Sequence, residues 1–225
     1  DYSVSEKYSF VLRLASIFHD VGKPKSRRWK ASPKAKKVRD GVRGDYTFYG
    51  HQVVGARQAE VILSRLCFSR EIIDRVALLV REHMFIYDPE VVTLAGVRRL
   101  RARVGDENLE DLIRLREADR IGSGVPKAQP YRLRYLQAML EKVKADPVSP
   151  KMLGIKGNEV MRITNIPPGP RVGWIIAVLL DEVLEDPSRN TKDSLEVRVK
   201  QLVELPDVEL RALAERGKRN ATEAQ

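Results

Sequence analysis

The sequence predicts an all-α protein, a helical bundle followed by a smaller C-terminal helical domain. Two observations predict it: apolar residues recur three and four apart in one segment after another, and glycine or proline closes most of those segments. A third observation concerns chemistry. The three histidines of the chain, His19, His51 and His83, stand in similar apolar settings, and Asp20 and Asp119 supply carboxylates in the same context.

The elements follow in order. From about Lys7 to Asp20, Phe10, Leu14, Ile17, Phe18 and Val21 define one buried face, and Gly22 and Pro24 end the helix. Residues 24–49 read as a basic loop, with Tyr46 to Tyr49 as a short strand or hairpin edge. A second helix, His51 to Leu66, carries Val54, Val61, Ile62 and Leu66 on one side, while Gly55 and Ala56 leave room for another helix to approach closely. A third, Glu71 to Met84, aligns Ile72, Ile73, Val76, Leu79, Val80 and His83. A short helix over 91–103 holds four arginines. Asn108 to Arg120 places Leu109, Leu112, Ile113, Leu115 and Asp119 in period before Gly122 and Gly124.

A helix from Tyr131 to Lys144 leads to the turn Asp146-Pro147-Val148-Ser149-Pro150, the predicted boundary between a first domain (1–145) and a C-terminal one (146–225). Beyond it come a short segment 157–163, a proline-punctuated loop at 167–170, a helix from Arg171 to Glu185 with Trp174 expected in the core, and a last helix, Thr191 to Leu205. The polar tail after it is expected to fray.

Composition bounds the function. At 225 residues, 43% hydrophobic and 32% charged, the chain is long enough for a substantial core and is neither disordered nor a membrane protein in type. Its longest apolar runs, such as Ile175–Leu180, are too short for a bilayer, and no signal segment opens it. A single cysteine, Cys67, excludes a disulfide framework, fits a reducing cytoplasm and is expected to be a small core residue of an amphipathic helix. The net charge of +10 favours polyanionic partners, nucleic acid first, and between Lys23 and Arg43 ten lysines and arginines face only Asp40. The chain opens on Asp1 rather than methionine, which reads as part of a longer gene product.

Imidazole nitrogen and carboxylate oxygen suit borderline divalent metals, and a cysteine-free set with open positions is catalytic in style rather than structural. His83 follows Val76 by seven and Leu79 by four, and Asp119 stands in the same relation to Leu112 and Leu115, so both point toward the core. Taken singly, a histidine on an apolar face is usually a hydrogen-bonded core residue, and an aspartate there usually pairs with an arginine, with Arg116 and Arg120 within reach. The combination points to a metal centre.

The ordered set His-Asp, His, His, Asp resembles the HD superfamily of metal-dependent phosphohydrolases. More narrowly, L-A-S-I-F-H-D-V-G-K-P at 14–24, F-Y-G-H-Q-V-V-G-A at 48–56, V-R-E-H-M at 80–84 and R-E-A-D-R-I-G-S-G at 116–124 resemble the HD domain of bacterial tRNA nucleotidyltransferases, the CCA-adding enzymes and their poly(A) polymerase relatives. I-K-G-N-E-V-M at 155–161, P-G-P-R-V-G at 168–173, and Val183-Leu184-Glu185-Asp186 with Asn190-Thr191 resemble that family's C-terminal helices, so the likeness spans roughly 8–203. Two departures stand out. HD enzymes carry a further histidine on the helix before the His-Asp pair, and none occurs among the 18 residues preceding His19. Truncation explains this most simply, and a genuine loss would weaken the first metal position. The paired-aspartate motif of nucleotide addition is also absent from these 225 residues.

The resemblance implies one or two divalent ions (Ni, Mn, Co, Fe, Zn or Mg). His19, Asp20 and Asp119 would hold the first, and Asp20 would bridge to a second completed by His51 and His83. Asp20 and Lys23 would form the catalytic pair, with Lys23 meeting the substrate phosphate or standing as a solvated loop lysine. Arg57 and Arg120 are weaker phosphate candidates. The basic segment, with Lys25, Arg27 and Arg28 beside Trp29, Tyr46, Phe48 and Tyr49, reads as an RNA-guiding loop or as a solubilising one. The implied reaction is hydrolysis of phosphate esters on nucleotides or RNA ends, of the 2′,3′-cyclic phosphate and 2′-phosphate class. The alternative is a non-catalytic module that binds RNA, tRNA included, with a vestigial HD site.

Overall fold

The computed structural model describes residues 9–124 and 130–223. In chain order these form α1 (Phe10–Phe18), α2 (Lys23–Ser26), β1 (Arg28–Ala31), β2 (Lys37–Arg39), β3 (Val42–Thr47), α3 (His51–Arg65), α4 (Arg70–Glu82), α5 (Leu94–Val104), α6 (Asp106–Gly122), α7 (Tyr131–Lys142), α8 (Gly157–Thr164), α9 (Pro170–Glu185), α10 (Lys192–Val203) and α11 (Asp207–Glu223). The fold is helical, as the spacing predicts, with one small sheet. Two compact units divide it: Asp1–Met84 with Asp106–Ala128, and Phe85–Gly105 with Gln129–Gln225.

In the first unit α3 packs along α4, and α1 lies against α4 and α6. Leu12, Ala15, Ala56, Ala59, Leu63, Val76, Leu79, Leu112 and Leu115 are buried between them, each large side chain contributing roughly 1.5–3 kcal/mol. Ser9 caps α1 by accepting the Leu12 N–H, and its hydroxyl donates to Asp111 of α6 at 2.8 Å, which fixes the start of the helix that ends at His19.

Three expectations are corrected here. The buried face of α1 is Val11, Leu12 and Ala15, while Phe10 is 53% and Ile17 72% exposed; a helix this apolar offers two faces, and its neighbours choose one. On α3 the small residues Gly55, Ala56 and Ala59 are buried, and Val61 and Leu66 are exposed. Cys67 is exposed just beyond α3 with φ 59°, a turn position rather than a core one.

The basic segment after Pro24 is a three-stranded antiparallel sheet in the order β1-β3-β2, not a loop. Its strands are short and exposed nearly throughout, so no alternation of apolar and polar residues announces them. The readable signal is Asp40-Gly41, both at positive φ (51° and 77°), the dipeptide suited to a tight hairpin between β2 and β3.

The second unit closes around Leu153, Ile155, Val160, Ile175, Leu179, Val183, Val199 and Leu202, with Trp174 partly buried against them. The tail after Leu205 does not fray but forms α11, which lies along α9 and buries Leu210 and Ala214. Two arginines of α5, both buried, neutralise helix ends in this unit. Arg98 meets Asp146 at 2.6 Å and donates to the carbonyls of Leu184 and Glu185, and Arg101 donates to those of Val143 and Lys144. Arg171, at the start of α9, is engaged with the carbonyls of Val203 and Leu205 at 2.7 Å each, which gives the Pro-Gly-Pro-Arg turn a packing role. Among the described residues no helix is long and apolar enough to cross a membrane.

Candidate metal centre

Each histidine of the first unit stands at a helix boundary. His19 closes α1, His51 opens α3 and His83 closes α4. The three Nδ1 atoms meet the backbone carbonyl three residues earlier: Ser16 at 2.8 Å, Phe48 at 2.8 Å and Val80 at 2.7 Å. A carbonyl only accepts, so each Nδ1 carries a proton; neutral His51 and His83 then keep their lone pairs on Nε2, whereas His19 turns its Nε2 to two carboxylates and donates to Asp119 in its protonated form. Carbonyls left over at the C-terminal ends of α1 and α4 are natural partners for such a ring, and before α3 the Phe48 carbonyl also accepts the His51 backbone N–H.

The Nε2 atoms converge. His51 Nε2 lies 3.2 Å from His83 Nε2 and 3.4 Å from Asp20 Oδ1. His19 Nε2 lies 3.3 Å from Asp20 Oδ2 and 3.5 Å from Asp119 Oδ1. Asp20, His51 and His83 offer one donor atom each within 4.8 Å of one another, a spread a single divalent ion can fill. Two imidazole lone pairs facing each other at 3.2 Å repel unless a cation sits between them. Burial holds His83 neutral, its pKa pushed down to about 4, with the neighbouring rings of His19 and His51 adding to the effect. The donor set therefore fits a borderline divalent metal.

The other predicted residues are placed around this cluster. Asp119 is shared: Arg116 reaches its Oδ2 at 2.6 Å, and His19 faces its Oδ1. The hydrogen bond from His19 holds the Asp119 carboxyl down at about 2, with Arg116 reinforcing it against burial. Burial opposes charge on His19, yet the Asp119 hydrogen bond, the Ser16 carbonyl and the nearby carboxylates together raise its pKa. Lys23 sits on Asp20 Oδ2 at 2.5 Å. Arg120 is half-buried in the last turn of α6, while Arg57 is exposed on α3. Lys25, Arg27 and Arg28 are exposed at the entry to the sheet, where the Arg27 guanidinium lies 4.5 Å over the Tyr46 ring.

Sequence reasoning read Gly22 only as a helix stop and missed its role in close packing. A β-carbon there would lie 2.1 Å from the carbonyl oxygen of His51 and 2.6 Å from the Gly55 nitrogen. Gly22 and Gly55 thus let the turn carrying Asp20 lie directly on the first turn of α3, beside Val80 of α4. The close approach read at Gly55 serves this turn as well as a helix. Buried Glu82 and Glu117, one residue before His83 and two before Asp119, also escaped notice, since charged residues beside a motif carry no periodic signal.

The HD domain family matches residues 4–123, more than half of the chain and all five of these side chains. The chain belongs to the HD domain family. That family is a superfamily of metal-dependent phosphohydrolases, and Asp20, His51 and His83 form a possible metal site within it. Two curated relatives are similar over a longer stretch. The CC-adding tRNA nucleotidyltransferase of Thermus thermophilus is 37% identical over 175 residues, which is 77% of this chain and 36% of the relative. The A-adding tRNA nucleotidyltransferase of Deinococcus radiodurans is 34% identical over 175 residues, 76% of this chain and 37% of the relative. The chain thus spans little more than a third of the curated relatives it matches. No solved structure matches it.

Proposed function

We propose that this HD domain is a metal-dependent phosphohydrolase acting on phosphate esters of nucleotides or RNA ends, with 2′,3′-cyclic phosphates and 2′-phosphates as its substrate class. The observation that carries the reading is the convergence of two Nδ1-protonated imidazoles on one point beside a carboxylate, an arrangement that repels itself without a cation. Asp20, His51 and His83 would hold the ion, with His19 and Asp119 next to it. Such an ion would activate water at neutral pH and offset phosphoryl charge. The chain's own groups do the rest. The carbonyls of Ser16, Phe48 and Val80 fix ring orientation and tautomer. His19 and Arg116 hold Asp119 in its ionised form, and Lys23, half-exposed on Asp20, would leave it for an incoming phosphate.

A relation to tRNA nucleotidyltransferases makes tRNA or its ends the first substrates to try, in a cytoplasmic setting. A second reading, an RNA-binding module with a vestigial site, is favoured by one observation: Asp119 and Asp20 already have cationic partners in Arg116 and Lys23. The deciding experiment follows phosphate release from 2′-AMP and opening of 2′,3′-cyclic AMP with Ni, Co or Mn added. Turnover that is lost with chelator and in His83→Ala supports the hydrolase, and RNA binding without any turnover supports the module.

A further inference from the structure

Nine of the chain's lysines and arginines fall between Lys25 and Arg43, against Asp40 alone, although the chain's net charge is only +10. The sheet arranges part of this charge on one face. Pairing sets Arg28 opposite Thr47, Lys30 opposite Asp45 and Val38 opposite Arg43, and residues opposite one another share a face. Asp45, the carboxylate of that face, is taken by Lys37 at 2.8 Å and by the Tyr46 N–H. Lys30, Lys34 and Arg43 are exposed, with no acidic partner among the described residues. The opposite face carries Lys37 and Arg39, which are paired with Asp45 and Asp40, and beside them Trp29 meets Tyr46 edge-on at 5.1 Å and covers Gly44.

Both ends of this sheet are tied to the metal centre. Before β1, Lys23 is bonded to Asp20; after β3, Phe48 gives its carbonyl to His51. Between the sheet and His51 stands Tyr49, 77% exposed, with the Lys30 ammonium 5.8 Å from its ring centroid. We infer that the cationic face of the sheet and the Tyr49 ring form a platform for single-stranded RNA, which takes the backbone on Lys30 and Arg43, stacks a base on Tyr49 and leads the strand's end to the metal centre. The inference rests on reading that centre as acting on an RNA-end phosphate. An acidic protein would match the charge but would leave the exposed ring without a role, whereas cations beside an open aromatic suit a strand whose bases are unpaired.

The test is fluorescence anisotropy of a labelled single-stranded RNA of about a dozen nucleotides, in chelator, across a salt series, so that neither metal nor turnover enters. Wild-type affinity should fall steeply with salt. The Lys30→Ala, Arg43→Ala double variant should flatten the log–log slope by about 1.4, roughly 0.7 for each phosphate that is no longer neutralised. Tyr49→Ala should weaken binding about tenfold, the size of one base stack, with the slope unchanged. Unaltered binding in these variants overturns the platform. So does equal competition by duplex RNA or by polyglutamate, which would mark a general polyanion or protein-docking face. Should a variant melt early, photo-crosslinking of wild-type chain to 4-thiouridine RNA decides: adducts on Tyr49 or the strands support the platform, and adducts confined to the second unit (85–105 and 130–223) overturn it. Absence of phosphate release would undo the hydrolase reading while leaving these binding results intact.

Discussion

A β-carbon placed on Gly22 would stand 2.1 Å from the carbonyl oxygen of His51, so the turn after the His-Asp pair is seated on the helix that opens with His51. The neighbour is backbone and cannot swing aside. Gly22→Ala is expected to push the Asp20 turn off α3, destabilising the fold by roughly 1–3 kcal/mol and weakening metal binding more than stability alone explains. Cobalt titration followed by its absorption, alongside urea unfolding, checks both effects.

His83 and His51 bring opposed lone pairs together at 3.2 Å, and an ion between them should stabilise the folded chain. At about a hundredfold excess over Kd the gain is roughly 2.7 kcal/mol, visible as a rise in Tm. His83→Ala should abolish that rise, and chelator should remove it from the wild-type chain. A metal-dependent shift that persists in His83→Ala would place the ion elsewhere.

Lys23 and Asp20 make opposite demands. The ammonium would compete with a metal for the carboxylate, yet its proposed role is to meet an incoming phosphate. Lys23→Met should therefore bind metal as tightly as wild type or tighter while releasing phosphate more slowly. Calorimetric metal affinity and initial rates, measured on one preparation, separate the two effects.

Arg98 is buried with Asp146 and two carbonyls of α9 as partners. Arg98→Met leaves Asp146 and those carbonyls without their donor, and a cost of about 3–5 kcal/mol is expected. Hydrogen exchange should show the loss in α5 and α9, with the helices around the metal centre less affected.

Glu159 accepts the Lys156 N–H at 2.9 Å at the start of α8 and pairs with Lys192 at 3.3 Å, and these partners lower its pKa from the ordinary 4.5. A carboxyl lowered on folding adds stability above its unfolded pKa and loses it as pH falls through the folded value. Glu159→Gln should lose that contribution at neutral pH and show a shallower decline below about pH 4.5, read from urea midpoints at several pH values.

Much of the molecule was legible in its order of residues. Helix positions from α3 to α10 follow from apolar spacing and from Gly and Pro stops, because an amphipathic helix must repeat its buried residues every three to four positions. His83 and Asp119 could be aimed inward on the same ground. The sheet could not be read that way, since strands exposed on both sides bury too little to leave a pattern, and only Asp40-Gly41 marked its hairpin. The tail helix was hidden for the opposite reason: its few fully buried large residues gain their burial from the α9 and α5 surfaces against which the helix lies.

The sequence by itself determined a helical HD domain and singled out five polar side chains as candidates for one site, because residue type and spacing are local properties. Tertiary structure alone decided that His51 and His83 face each other with Asp20, that His19 meets Asp119, and that the basic segment stands as a sheet mounted between Asp20 and His51. Distances between atoms on separate helices depend on how backbones seat against one another. Here that seating depends on a contact as small as the missing side chain of Gly22.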